Sequence, residues 1–147
     1  MNLNKKSAAI FEDVKINVKV KLSALWVAVL FCYLYGDLVQ LYVPGWIQNM
    51  IAGNMGPLGP TTQVKMLGGA VFVTIPAAMI FLSLTLKPKA NRWANIIIAI
   101  LYTLLLLFTM FNAGWYYYIF LGIVEITFKA LIIWYAWTWP KQKTNNI

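Results

Sequence analysis

The sequence contains no histidine and a single cysteine, Cys32, which lies within an apolar stretch. Without histidine, the chain lacks the residue that most often acts as a general base or binds a metal. One cysteine cannot form an intrachain disulfide, a CxxC redox pair or a thiolate metal cluster. The four acidic residues are too scattered along the chain to form a recognisable metal motif. We therefore expect no metal site, no cofactor and no thiol redox chemistry.

Charged residues are also scarce. They make up 11% of the 147 residues, and hydrophobic residues make up 61%, whereas soluble proteins contain about 25% charged residues. Twelve basic residues oppose four acidic ones, which gives a net charge of +8. The basic residues lie at the ends of apolar runs, where they would meet anionic lipid headgroups, and they do not form the basic face that binds nucleic acid. The composition predicts a membrane protein with the lipid bilayer as its partner and no nucleic-acid partner.

Four apolar runs are each long enough to cross a membrane, at about residues 22–43, 64–86, 94–111 and 115–139. The segment before the first run is polar, and no small-residue cleavage site follows the run, so we interpret it as a retained span and not as a signal peptide. Residues 44–63 are rich in Gly and Pro, which do not continue a helix. We predict one all-α domain over residues 1–147, an antiparallel bundle with up-down-up-down topology.

The positions of the basic residues predict the orientation of the bundle. Five lysines precede the first span, and Lys87, Lys89 and Arg92 lie in the loop at residues 87–93 between the second and third spans. Two more lysines follow the fourth span, whereas the opposite side carries only Lys65. Because basic loops stay on the cytoplasmic side, we predict that both termini and the 87–93 loop are cytoplasmic and that the 44–63 loop faces outward.

Two further patterns concern the backbone. Pro76 should kink the second span, because proline lacks an amide hydrogen and clashes with the preceding turn. Residues 14–21 alternate apolar and polar side chains, a pattern that favours a strand, but no partner strand is visible in the sequence. We therefore predict a surface segment that leads into the first helix.

Three charged residues lie well inside the predicted spans, away from their ends: Asp37, Glu125 and Lys129. A charge at the centre of a bilayer costs at least about 2.5 to 3.5 kcal/mol, so such residues normally face the interior of a bundle, a partner or water. Glu125 and Lys129 are four residues apart on one helix face, in the order that favours an ion pair. The pair is either a structural salt bridge that fixes the packing of the bundle or part of a binding or proton site.

Polar side chains near Asp37 form a seam that we expect to face inward. Tyr33 and Gln40 share a helix face with Asp37, and the third helix offers Tyr102, Thr109 and Asn112 at spacings of seven and three. Asp37 should lie in the outer half of the bundle and Glu125 nearer its middle. Asp37 could alternatively pair with Lys65. An outward-open pocket with aromatic walls that ends at the charge pair would suit a small molecule.

Several short motifs resemble those of a family of small four-helix bacterial membrane proteins, a domain of unknown function. The motifs are Tyr35-Gly36-Asp37, Val43-Pro44-Gly45, Ile75-Pro76, residues 86–93 with Asn95-Ile96, Glu125 and Trp134-Tyr135-Ala136-Trp137. The resemblance covers nearly the whole chain. It implies a multi-pass protein of the bacterial inner membrane, and it implies no activity or catalytic residue.

Three functional hypotheses follow. The first is a bundle, monomeric or homo-oligomeric, that binds or transports a small solute or a lipid-like ligand through Asp37, Glu125 and Lys129. The second is a non-catalytic assembly or regulatory subunit that docks a protein or anionic lipid through the 87–93 loop. The third is a lipid- or quinone-linked membrane enzyme in which Glu125 acts as acid and base. The sequence favours a non-enzymatic role, because no nucleophile or phosphate loop accompanies the pair.

Overall fold

The computed structural model describes residues 14–111 and 114–140, and within them the chain is helical, with no strand beyond one isolated bridge between Asn54 and Pro60. The helices are α1 (Val18–Gln40), α2 (Trp46–Ile51), α3 (Gln63–Thr85), α4 (Pro88–Met110) and α5 (Tyr116–Trp137). Four of the helices in this part of the chain, all except α2, are long and apolar enough to cross a membrane. The predicted all-α fold, with four helices long and apolar enough to span a membrane, is confirmed for the described residues.

Two helices begin earlier than the apolar runs that predicted them. In α1 the side chain of Asn17 caps the helix by accepting a 2.9 Å hydrogen bond from the amide of Lys19. In α4 Pro88 occupies the first turn, where its missing amide hydrogen costs nothing. Hydropathy places the start of a span just after the last charged residue. A helix can begin before that point, because long polar side chains in its first turns extend along its surface to water. The predicted starts at residues 22 and 94 were therefore several residues late.

The Gly- and Pro-rich loop contains more structure than its composition predicted. The short helix α2 follows Gly45, whose φ of 82° lies in the left-handed region, and a single 3₁₀ turn spans Gly56–Leu58. Glycine and proline thus begin and end these short helices, and they do not exclude them. The composition of residues 44–63 did not indicate these two short helical segments.

The long helices pack densely toward one end of the bundle. The buried residues of α1 lie between Leu22 and Val29, those of α3 between Pro76 and Ser83, and those of α4 between Asn91 and Tyr102. We call this the Arg92 end, and we call the opposite end the Asp37 end. The core cluster consists of Leu22, Trp26, Val29, Met79, Ile96, Ala99, Ile132 and Ala136. Toward the Asp37 end, most side chains of α1, α3 and α4 are exposed or half-buried.

Helix contacts are uneven around the bundle. Helix α1 packs against both α3 and α5, and α4 packs against α5, but α3 and α4 touch each other at few positions. Helix α3 continues through Pro76, and the predicted kink there stays a prediction. The sparse contact between α3 and α4 leaves room for the cavity that contains the candidate site.

Candidate functional site

A cavity of about 790 Å³ occupies the Asp37 end of the bundle, and all four long helices contribute to its wall. Its polar lining residues are Tyr33, Asp37, Gln40, Lys65, Thr109, Tyr118 and Glu125. Its apolar walls include Met66, Phe72, Val73, Leu105, Leu106 and Phe108. Pockets that bind small molecules combine mostly apolar walls with a few polar groups in this way. The cavity therefore brings together six of the residues that the sequence singled out: Tyr33, Asp37, Gln40, Lys65, Thr109 and Glu125.

Glu125 and Lys129 form a buried ion pair at the inner end of this cavity. The Nζ of Lys129 donates to the Oε1 of Glu125 over 2.5 Å, and Glu125 and Lys129 are 5% and 0% exposed. Glu125 lines the cavity, whereas Lys129 lies behind it and also donates to the backbone carbonyl of Tyr102 over 3.1 Å. The arrangement presents a carboxylate to the cavity and keeps its counter-charge in the protein.

Aromatic rings surround the ion pair. Tyr33 lies beside Glu125, and its ring centroid is 6.1 Å from that of Phe72. Phe72 in turn stacks on Tyr102, with the ring centroids 4.7 Å apart. The Tyr102 hydroxyl donates to the carbonyl of Phe72 over 2.7 Å. Tyr102 thus acts as a packing and hydrogen-bonding residue, and Tyr33 is the phenol nearest to the carboxylate.

Asp37 lies at the cavity in an exposed position, and among the described residues it forms no ion pair. Lys65, the alternative partner, also lines the cavity, but its Nζ donates to the carbonyls of Leu58 and Pro60, over 2.5 and 2.9 Å. The loop that folds back before α3 thus supplies acceptors closer to Lys65 than the Asp37 carboxylate. The Asp37 carboxylate is left facing the cavity.

The outer wall of the cavity also includes a hydrogen-bonded pair between α4 and α5. The hydroxyl of Tyr118 donates to Thr109 Oγ1 over 2.7 Å, and both residues line the cavity. The sequence placed Thr109 in the polar seam of the third helix. Asn112, the last member of that seam, lies outside the described residues.

Between the ion pair and the Arg92 end lies a buried polar network that the sequence did not predict. It links α1, α3 and α4. The indole of Trp26 donates to Asn95 Oδ1 over 2.7 Å, and Asn95 Nδ2 donates to Asn91 Oδ1 over 2.6 Å. Asn91 in turn donates to the carbonyl of Ser83 over 2.6 Å. The signal was the four-residue spacing of Asn91 and Asn95, but the predicted third span began at residue 94 and left Asn91 in a loop.

The basic residues of the 87–93 loop occupy different environments at the Arg92 end. Lys87 is the exposed N-cap of α4, whereas Lys89 and Arg92 line a second cavity of about 850 Å³. The guanidinium of Arg92 lies 5.9 Å from the ring centroid of Trp93 and 5.1 Å from that of Trp137. These distances are typical of cation–π contacts, which hold the guanidinium in place.

Comparison with known proteins gives a family and no activity. The chain belongs to the family of unknown function DUF6326, which matches residues 8–146. No curated protein and no solved structure matches it. The resemblance to a family of unknown function is thereby confirmed, and the bacterial source stays a prediction.

Proposed function

We propose that this membrane protein binds a small amphiphilic ligand in the cavity at the Asp37 end. The observation that carries the proposal is the position of Glu125, a carboxylate only 5% exposed that lines the inner end of an otherwise largely apolar cavity. A charged group at this depth is costly to keep, and an intramembrane ionisable residue is a functional-site hypothesis by default. Its ion pair with Lys129 reduces that cost and leaves the carboxylate at the cavity wall.

The lining favours a ligand with a hydrogen-bond-donating head and an apolar body. Asp37, Gln40 and Glu125 offer acceptor oxygens, and Lys65 is already bonded to two carbonyls of its own loop. Phe72, Leu105 and Phe108 supply apolar wall on the α3 and α4 sides. Because α3 and α4 have few contacts, such a ligand could enter sideways from the bilayer as well as from the end of the bundle.

Binding suits the packing better than passage through the bundle does. Trp26, Met79, Ile96 and Ile132 fill the interior between the ion pair and the Arg92 end, with exposures of 0%, 1%, 5% and 0%. A solute would have to displace this core to cross. We therefore propose a binding bundle, and transport would require a second conformation with that core open.

We further propose that the protein lies in the cytoplasmic membrane of a bacterium as an up-down-up-down bundle with both termini inside. The support is the distribution of charge: Lys15, Lys19, Lys89 and Arg92 share the cavity at one end of the bundle, and Lys65 lines the cavity at the other. By the positive-inside rule the Arg92 end would face the cytoplasm and the ligand cavity would open outward.

Two neighbouring glycines of α3 provide the test. Gly69 lines the cavity and Gly68 does not, and a Cβ atom added at either position would meet no atom within 4 Å. We expect Gly69→Phe to fill the cavity and Gly68→Phe, the matched control, to leave it open. Native mass spectrometry of the gently released protein should detect a bound mass with the wild type and with Gly68→Phe but not with Gly69→Phe.

Extraction of the purified proteins with organic solvent would then identify the compound that accounts for this mass. Asp37→Asn, an exposed change outside the packed core, should reduce occupancy if the ligand carries a cationic head. The same bound mass on all four proteins, or bare protein in every case, would contradict the proposal.

A further inference from the structure

The cavity at the Arg92 end has the charge of an anion-binding site. It lies between the segment that enters α1 and the beginning of α4, and its lining includes Lys15, Lys19, Lys89 and Arg92. Among the described residues that line it, none carries a carboxylate. The site is independent of the ligand cavity proposed above, which lies at the opposite end.

One of these four cations is already engaged by backbone carbonyls, and no acid among the described residues pairs with the other three. The Nζ of Lys19 donates to the carbonyls of Leu84 and Leu86, over 3.1 and 2.8 Å, where α3 ends. The one ion pair among the described residues joins Glu125 and Lys129. Within the described part of the chain, Lys15, Lys89 and Arg92 therefore concentrate positive charge at this cavity.

The beginning of α4 adds to the positive potential. Its N-cap, Lys87, makes no side-chain capping bond. The first amides of a helix lack intrahelical acceptors, and the helix dipole places partial positive charge there. Pro88, Lys89 and Arg92 bring this end of the helix to the cavity wall.

Arg92 supplies a donor that still needs an acceptor. Its Nε atom is buried and makes no hydrogen bond with any described residue. The flanking rings of Trp93 and Trp137 restrict the guanidinium, which pre-orients a group suited to bind a phosphate through parallel hydrogen bonds. An anion at this position would satisfy the donor.

The rest of the lining is apolar, which suits an amphiphile. Ile16, Val18, Trp93 and Trp139 line the same cavity as the cations, and tryptophan is typical of the membrane interface. We propose that this cavity binds the phosphate group of an anionic phospholipid, with the headgroup against Lys89 and Arg92 and the upper part of an acyl chain against the apolar residues.

Titration of the full-length protein in detergent tests the proposal. Dioleoyl phosphatidylglycerol is the anionic probe, dioleoyl phosphatidylcholine the zwitterionic one and sodium phosphate the free anion, with binding read by native mass spectrometry. Lys89→Gln and Arg92→Gln remove cavity charges, and Lys87→Gln is the matched control, since Lys87 is exposed and does not line the cavity. We expect each cavity variant to raise the Kd for phosphatidylglycerol about fivefold, and Lys87→Gln to leave it unchanged.

The comparison of probes decides the source of the phosphate. Stronger binding of phosphatidylglycerol than of phosphatidylcholine, without displacement by sodium phosphate, would support a lipid site. Displacement of the lipid by sodium phosphate at equal concentration would overturn the lipid assignment. Equal affinity of the wild type and all three variants would overturn the site itself, and the exposed position of Lys89 ensures that a folded cavity variant is available for that comparison.

Discussion

The hydroxyl of Tyr102 donates a 2.7 Å hydrogen bond to the backbone carbonyl of Phe72. Phe72 lies four residues before Pro76, so its carbonyl is the acceptor that the missing amide hydrogen of Pro76 leaves without a helical partner. An unsatisfied carbonyl is costly inside a bilayer. A side chain of α4 thus completes the hydrogen bonding of α3 beside the ligand cavity, at one of the few positions where these two helices meet.

This relationship predicts a coupling between Tyr102 and Pro76. Tyr102→Phe should lower the free energy of unfolding by about 1 to 2 kcal/mol, because it leaves the Phe72 carbonyl unsatisfied. In a Pro76→Ala background, the alanine amide can donate to Phe72, and the same change should cost less. Unfolding of the four proteins in mixed micelles gives the coupling energy. An equal cost of Tyr102→Phe in both backgrounds would mean that the two residues act independently.

The ion pair predicts a larger effect. Lys129→Met alone leaves Glu125 without its cation, and Glu125→Gln alone leaves Lys129 without its anion, so each should destabilise the protein by about 3 to 5 kcal/mol. The double variant removes both charges and should recover most of that loss. The same unfolding assay measures all three. If the double variant were no more stable than the less stable of the two single variants, the loss of stability in the single variants would not come from an unpaired charge.

The double variant also separates structure from ligand binding. We expect it to keep the fold, because neither charge is left unpaired, whereas the cavity loses the carboxylate at its inner end. We therefore expect a folded protein without the bound mass that the wild type carries. Retention of that mass in the double variant would show that Glu125 is not needed for ligand binding. Asp37 would then be the remaining acidic candidate for contact with the ligand.

The four spanning helices follow from the sequence because apolar length is a local property. The i,i+4 spacing likewise predicted which face Glu125 and Lys129 share. How closely four helices pack at each end of a bundle cannot be predicted in the same way, because it depends on contacts between segments far apart in the chain. The looser packing at the Asp37 end, which creates the cavity, is such a property, and so is the bond that joins Trp26 of α1 to Asn95 of α4.

The network around Asn95 predicts that this residue supports the closed half of the bundle. Asn95 is 0% exposed and accepts from both Trp26 and Ser83, over 2.7 and 3.3 Å. Asn95→Ala leaves these donors without an acceptor and should cost about 2 kcal/mol or more. Asn49→Ala, an exposed change in α2, is the control and should stay within about 0.5 kcal/mol of the wild type. Equal stability of the two variants would show that the network contributes little.

Cys32 is the only cysteine and lines the ligand cavity, so its labelling rate reports on access to that cavity. A small charged methanethiosulfonate, which does not cross membranes, should react with Cys32 when added to the outer side of intact cells or right-side-out vesicles. Gly69→Phe should slow the reaction several-fold and Gly68→Phe should not, because only Gly69 lines the cavity. Labelling only from the cytoplasmic side would reverse the orientation that we propose. Labelling at the same rate in all three proteins would mean that Cys32 is reached by a route other than this cavity.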